Sequence, residues 1–486
     1  MNKKSNLLLL LTSFFLLGSC SSNSSSNDNT QDTNSNSESI NSDSTSSTNE
    51  SSTSTSSGSL STSSSSSGSS SSSSSASSSN TSSSSSSSST SQPVEEDLDA
   101  YTIMIYMCGS DLESDSSNGG LATANLKEIM SVSLPSNVNV IIETGGAKSW
   151  KTSGISSSKL GRYAVENKKL VLKESLTKAN MGSSSTLQSF VEWGLNNYPA
   201  EKTGFIFWNH GGAMLGVCSD ENYDYDSLLN SEVNQAFSKA FASTNRTSKL
   251  EWVGYDACLM QVQDIADFNS NYFNYMVASQ ESEPGEGWDY DVWLNTLAKN
   301  VNISTEDLLK SLTDSYVSKC ATIYNSYGGQ YRNYNDATLS VLDLSKMSEY
   351  KNEFESFASK LSSKSLSKSK FKSLVNGCNQ FGYVEDDYGS SGEFVFDVVD
   401  VGDYISSVES TFSIDTSSLA NALDNLVIYN KYGKDKYEGG TRTVLSGLCL
   451  FAATTGNSNK TDYSTSETNF TTWRTINMSY GSFYSY

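Results

Sequence analysis

His210 is the only histidine in 486 residues, so any proton transfer by an imidazole near neutral pH must pass through it. It lies in Phe205-Ile206-Phe207-Trp208-Asn209-His210-Gly211-Gly212. The paired glycines after it allow a backbone amide to approach a developing oxyanion closely. Seven cysteines, at 20, 108, 218, 258, 320, 378 and 449, are widely spaced without any Cys-x-x-Cys pair, a pattern that fits neither a disulfide framework nor a zinc site. Cys258 stands in Gly254-Tyr255-Asp256-Ala257-Cys258-Leu259-Met260, at the end of a second apolar run. A thiol attacks a carbonyl well only as thiolate, and Cys258 can draw on two sources of help. One is His210; the other is the amino end of a helix predicted over 259–268, whose unpaired amides favour negative charge. Most of the remaining thiols read as small buried apolar residues.

The elements that must position this pair alternate between period-2 apolar runs and helical periodicity, as in a sheet covered by helices. Strands are predicted at 101–107, 138–144, 204–208, 251–255 and 272–279, with a hairpin through 162–165 and 169–172. Helices are predicted at 186–197, where Leu187, Phe190, Val191 and Leu195 share a face, and at 231–241. Ser110 and Glu113 have the spacing of a capping box, which accounts for the acids of Ser110-Asp111-Leu112-Glu113 by a helix start alone. Strand, helix, strand in succession implies right-handed crossovers and a largely parallel sheet, whose sites lie at the carboxyl ends of strands. His210 and Cys258 each follow such an end. Beyond Trp288, helices at 307–323, 346–361 and 398–407 and strands at 337–342 and 445–452 extend the same unit.

Bulk properties narrow the rest. A formal net charge of -22 and a pI near 4.5 exclude nucleic-acid binding, attract basic peptides and keep a secreted chain soluble. The start reads as an export signal over 1–19, basic, then apolar from Leu7 to Leu17, then small residues before Cys20. Cys20 is placed like the acylated cysteine of a bacterial lipoprotein, which anchors the chain at the cell surface by lipid alone. Residues 20–95 are almost wholly Ser, Thr, Asn and Gly, too polar to fold, and form a flexible stalk. A core is expected over 96–300, with 301–486 as its extension and the chain a monomer.

An apolar strand ending in His210-Gly211 and a later one ending in Asp256-Ala257-Cys258 resemble the caspase-like cysteine peptidases. Asp256-Ala257-Cys258-Leu259-Met260 is similar to the clostripain family in particular. The resemblance spans roughly 97–455. It includes Tyr101-Thr102-Ile103-Met104-Ile105-Tyr106-Met107, Ala278-Ser279-Gln280-Glu281, Glu283-Pro284-Gly285, Gly287-Trp288 and Val341-Leu342-Asp343-Leu344-Ser345. It implies a caspase-like α/β/α sandwich and a Cys258–His210 dyad with no obligatory third member. It also implies an oxyanion hole from the amides of Gly211 and Cys258, and cleavage after Arg or Lys. Asp256, two residues before the nucleophile, takes the place of the acid that meets the basic side chain, although an aspartate there also suits a helix cap. A second pocket acid is implied after the next strand; Glu286 is the choice and Asp289 the reserve. The family includes calcium-dependent and self-cleaving members, and Asp220, Glu221, Asp224 and Asp226 could bind Ca2+ but more simply form an exposed loop. No other cofactor is implied.

Overall fold

The computed structural model describes residues 98–485 except 118, 327, 330–333, 386–391, 437–438 and 467. The expected export signal, Cys20 and stalk lie outside the described residues. Among the described residues no helix is long and apolar enough to cross a membrane.

The chain runs β1 (Asp99–Cys108), α1 (Ser110–Ser114), α2 (Leu121–Ser131), β2 (Val138–Gly145), β3 (Lys159–Glu166), β4 (Lys169–Thr177) and α3 (Ser184–Asn197). It continues with β5 (Ala200–Trp208), β6 (Val217–Asp220), β7 (Asp226–Leu228), α4 (Asn230–Ser243), β8 (Leu250–Asp256), α5 (Gln263–Asn269) and β9 (Phe273–Ala278). Then come α6 (Tyr290–Lys299), α7 (Thr305–Ser326), β10 (Thr338–Asp343), α8 (Met347–Ser362), α9 (Lys368–Asn376), β11 (Gln380–Glu385) and β12 (Gly392–Asp400). The last elements are α10 (Val401–Phe412), α11 (Ser417–Leu426), β13 (Val427–Tyr432), β14 (Cys449–Phe451), α12 (Lys460–Thr465) and α13 (Thr471–Tyr480).

Nine strands form the main sheet in the order β13-β10-β9-β8-β5-β1-β2-β3-β4. The middle five are parallel, and antiparallel pairs flank them on both sides. Central strands of this kind are covered on both faces and so read as continuous apolar runs, as Tyr101–Cys108 does. Alternate residues of β1 serve opposite layers. Met104 and Tyr106 belong to one continuous core with Phe190 of α3, Phe237 of α4, Ile265 of α5 and Phe354 of α8. Ile103 and Ile105 belong to the core on the other face, with Leu126 of α2, Trp293 of α6 and Leu312 of α7. The result is a sheet sandwiched between helices. A second, three-stranded sheet β11-β12-β14 borders it, and β10 and β13 bring chain from beyond residue 300 into the main sheet.

Three local expectations are corrected. The predicted helix at 398–407 begins at Val401 because Val398–Asp400 pair with Cys449–Phe451 in a sheet. The predicted helix at 259–268 begins only at Gln263, since the amides of Leu259 and Gln261 are taken by the carbonyls of Glu281 and Ser279. Ser110 and Glu113 form no capping box: the residue before the helix is Gly109, and Ser110, the first residue of the helix, is left-handed with φ 49°. Glu113 instead accepts from the Thr123 amide (2.9 Å), the Thr123 hydroxyl (2.6 Å) and the Lys151 amide (2.5 Å), tying α1 to the first turn of α2.

Glu113 is fully buried, so its removal strands donors that have no water to turn to. Glu113→Ala is expected to cost about 1.5–3 kcal/mol in denaturant unfolding. Unchanged stability would show that α1 does not depend on this carboxylate.

Candidate active site

In the parallel pairing of β5 with β8, Trp208 lies opposite Asp256 at the carboxyl ends of both strands. His210 and Cys258 each follow two residues later, on neighbouring strand ends. The amide of Asn209 bonds the Asp256 carbonyl (3.4 Å), and its side chain donates to the Cys108 carbonyl (2.6 Å) while accepting from the Ser219 amide (2.8 Å). Asn209 thereby fixes the residue before His210 to the end of β1 and to β6. Gly211 pairs with Val217 through bonds made by their neighbours, Cys218 to the His210 carbonyl (3.1 Å) and Gly212 to the Gly216 carbonyl (2.9 Å). In such a pair the middle residue's own amide turns away from its partner strand. A Cβ on Gly211 would stand 2.3 Å from the Cys258 carbonyl oxygen, so only glycine lets the two strand ends approach this closely.

Cys258 is partly exposed, whereas Cys108, Cys218, Cys320, Cys378 and Cys449 are buried and, like it, form no disulfide. Burial pushes all five of those thiols up, Cys378 to about 12, which leaves them protonated and unreactive. The Cys258 sulfur accepts from the Glu283 amide (3.1 Å) and stands 3.7 Å from the Glu283 carbonyl. Help expected from the amino end of α5 is not available, because that helix starts five residues later. The chain instead turns sharply at Leu259, a buried leucine held at φ 67°.

His210 Nε2 lies 3.1 Å from Asp111 Oδ1. Burial pulls the imidazole's pKa down, but the Asp111 carboxylate, with a smaller part from Cys258, outweighs it and the net shift is upward. For Asp111 the signs are reversed: burial pushes the carboxyl up, the imidazole and the Ser110 hydroxyl pull it down, and it settles at about 2.

An open cleft lies between the strand ends, lined by His210, Cys258, Asp256, Glu283, Pro284 and Gly287 among others. Asp256 caps no helix. Its carboxylate accepts from the Tyr290 hydroxyl (2.8 Å) and the Trp288 amide (3.2 Å), and burial still raises it to about 6. Gly287, at φ 59°, approaches so near that a Cβ would meet Asp256 Oδ1 at 2.9 Å. The 286–288 turn is clamped from behind by Lys319, which donates to the carbonyls of Glu286 (3.2 Å) and Trp288 (3.0 Å) and pairs with Glu128 (2.9 Å).

Glu286 is not among the cleft-lining residues; its carboxylate accepts from the Tyr334 hydroxyl at 2.5 Å. Asp289 precedes α6, is raised to about 7 by burial and by Asp291, and also lies outside the cleft lining. The acid placed beside Asp256 is Glu283. Glu283 and Asp111 are the two site residues the sequence reading left out. The acids at 220–226 are mostly drawn inward: Asp220 accepts from the Met181 amide (2.9 Å), buried Glu221 pairs with Lys148 (3.2 Å), and Asp226 accepts from Asn180 (2.6 Å). Among the described residues no three His, Cys, Asp or Glu side chains group as a metal site.

The sequence model of the clostripain family matches residues 105–476. Clostripain of Hathewaya histolytica is 26% identical over 296 residues, covering 52% of this chain and 54% of that protein, so the chain spans about half the length of this curated relative. Among solved structures, a secreted C11 cysteine protease from Bacteroides thetaiotaomicron in complex with an irreversible peptide inhibitor aligns with TM-score 0.56 and 15% identity, covering 77% of this chain and 99% of that one. An inactive zymogen C11 protease from Parabacteroides distasonis aligns with TM-score 0.50 and 18% identity, over 73% and 92% of the two chains. At these identities the structural likeness establishes a shared fold.

The single histidine makes the Asp111 pairing directly measurable, since the ring gives one set of imidazole resonances. In an NMR titration His210 is expected to hold its proton to higher pH than an ordinary histidine, and Asp111→Asn to move its midpoint down. An unmoved midpoint would remove Asp111 from the site.

Proposed function

The chain belongs to the clostripain family, and from that premise we propose that it is a cysteine endopeptidase hydrolysing peptide bonds after arginine or lysine. The observation that carries the proposal is the convergence of Cys258, His210 and Asp256 on one cleft, from the carboxyl ends of two adjacent parallel strands.

In this reading the Cys258 thiolate attacks the scissile carbonyl carbon, and the amides of Gly211 and Cys258 receive the oxygen as it gains charge. With Nε2 held by Asp111, proton exchange falls to the other ring nitrogen of His210. The imidazolium gives its proton to the departing amine, leaving a thioester between substrate and Cys258. Water then attacks the thioester with the neutral imidazole taking its proton, the acid product leaves, and the thiolate–imidazolium pair is restored. The raised imidazole and the Glu283 amide at the sulfur both favour that charged pair as the resting state.

Asp256 supplies the charge for a guanidinium or ammonium group before the cut. The acidic surface adds long-range attraction for basic peptides. The lipid anchor on Cys20 and export to the cell surface belong to the same proposal on sequence grounds alone, and incorporation of labelled fatty acid, abolished by Cys20→Ser, checks them.

Fluorogenic peptides varied at the residue before the cut provide the main test, with residues 97–486 as enzyme. Arg and Lys peptides are expected to be cleaved, and Cys258→Ala to lower kcat by about 10^4-fold or more. Asp256→Asn is expected to lower kcat/KM for the Arg peptide by roughly 30-fold or more. Turnover that survives Cys258→Ala would overturn the mechanism, and equal turnover of alanine and arginine peptides would overturn the role of Asp256.

A further inference from the structure

Asp256 and Glu283 reach the cleft from different elements, the end of β8 and the loop after β9, and both are almost completely buried, at 5% and 4% exposure. Both face the same cleft, and each carboxyl bears on the titration of the other. Two ionised carboxylates offer only acceptors and repel, so the arrangement favours one of them carrying a proton. The division between them is set by their neighbours. Asp256 already takes the Tyr290 hydroxyl and the Trp288 amide, donors that favour its charged form. Glu283 faces Asp256 and Cys258, and burial together with the Asp256 charge pushes it well above the usual carboxylate range.

The other groups around the pair do not supply a second counter-charge. Tyr290 of α6 and Tyr316 and Cys320 of α7 are pushed up by burial and stay neutral. Lys319 acts on Asp256, but its ammonium is already bonded to Glu128 and to two carbonyls of the 286–288 turn. Glu128 and Glu286 add negative charge to Tyr290 and Cys320. His210, which also lines the cleft, is paired with Asp111.

We propose that Asp256 and Glu283 hold a single proton between them while the cleft is empty, and that a basic side chain entering it expels that proton to solvent. Glu283 is thus a specificity-determining residue whose second charge exists only when a cation is present to face it. The step is a simple exchange: the carboxyl O–H of the pair breaks, the proton passes to buffer, and the guanidinium or ammonium takes its place between the two carboxylates. A neutral side chain brings no charge to offset the new carboxylate and leaves the proton where it is. The proposal rests on the basic-residue reading of the cleft given above. It adds that recognition is coupled to pH at a residue whose main chain also touches the nucleophile's sulfur.

Titration calorimetry of the Cys258→Ala chain in buffers of differing ionisation enthalpy counts the protons. An uncleaved peptide with arginine before the cut is the probe, and its alanine counterpart is the reference. Near neutral pH the arginine peptide is expected to release about one proton per site, and Glu283→Gln on the same background to abolish the release while binding persists. Should that variant fail to fold, the Kd of the Cys258→Ala chain supplies a second measure. It is expected to fall by up to about tenfold per pH unit while the pair retains its proton, with no such slope for the alanine peptide. Tight binding of the arginine peptide with no proton released and a flat Kd would overturn the shared proton and leave basic specificity standing. Equal binding of the two peptides would overturn both.

Discussion

Trp208 opposite Asp256, in the parallel ladder of β5 and β8, fixes the positions of His210, Cys258 and Asp256. The two strands end together, so two residues further along each chain His210 and Cys258 come to the same place. Asp256, as the last residue of β8, lies beneath them. The ladder is buried in the middle of a sheet covered by helices on both faces, which makes a slip of register costly in every layer at once. Gly211 and Asn209 then secure the ends: one by lacking the Cβ that would strike the Cys258 carbonyl, the other by bonding across to β1 and β6.

On that frame the protein uses acids in two opposite ways. Asp111 is kept ionised at about 2 by the imidazole it faces, and its fixed charge favours the protonated ring. Burial holds Asp256 high, and burial together with the Asp256 charge holds Glu283 higher than an ordinary carboxylate. Burial and neighbouring charge thus push carboxyl groups around one cleft in opposite directions.

Much of this was legible in the sequence. The parallel sheet followed from apolar runs spaced by helical periodicity, and the meeting of His210 and Cys258 at one cleft from their places after two strand ends. Asp111 was hidden because Ser110-Asp111-Leu112-Glu113 has the spacing of a capping box, a local explanation that satisfied every acid in it. The tertiary structure overrides it by placing Ser110 in a left-handed conformation and sending Glu113 to Thr123 and Lys151. Glu281, Glu283 and Glu286 lie within one short loop, and no periodicity says which of them faces the cleft; contacts with Arg442, Cys258 and Tyr334 respectively separate them. The expected helix after Cys258 failed for the same kind of reason. Its first amides were claimed by the loop after β9, which sequence spacing does not reveal.

Leu259 at φ 67° carries a consequence for the thiol beside it. A leucine in this conformation costs about 1–2 kcal/mol that glycine would not, and here the side chain is buried, with its methyl carbons set against the place where a Cβ on Gly382 would lie. Packing of the side chain offsets the backbone's reluctance and removes the freedom a glycine would have kept in the unfolded and folded chain alike. The corner that carries the sulfur is therefore held by packing, and the entropy of fixing it has already been lost during folding.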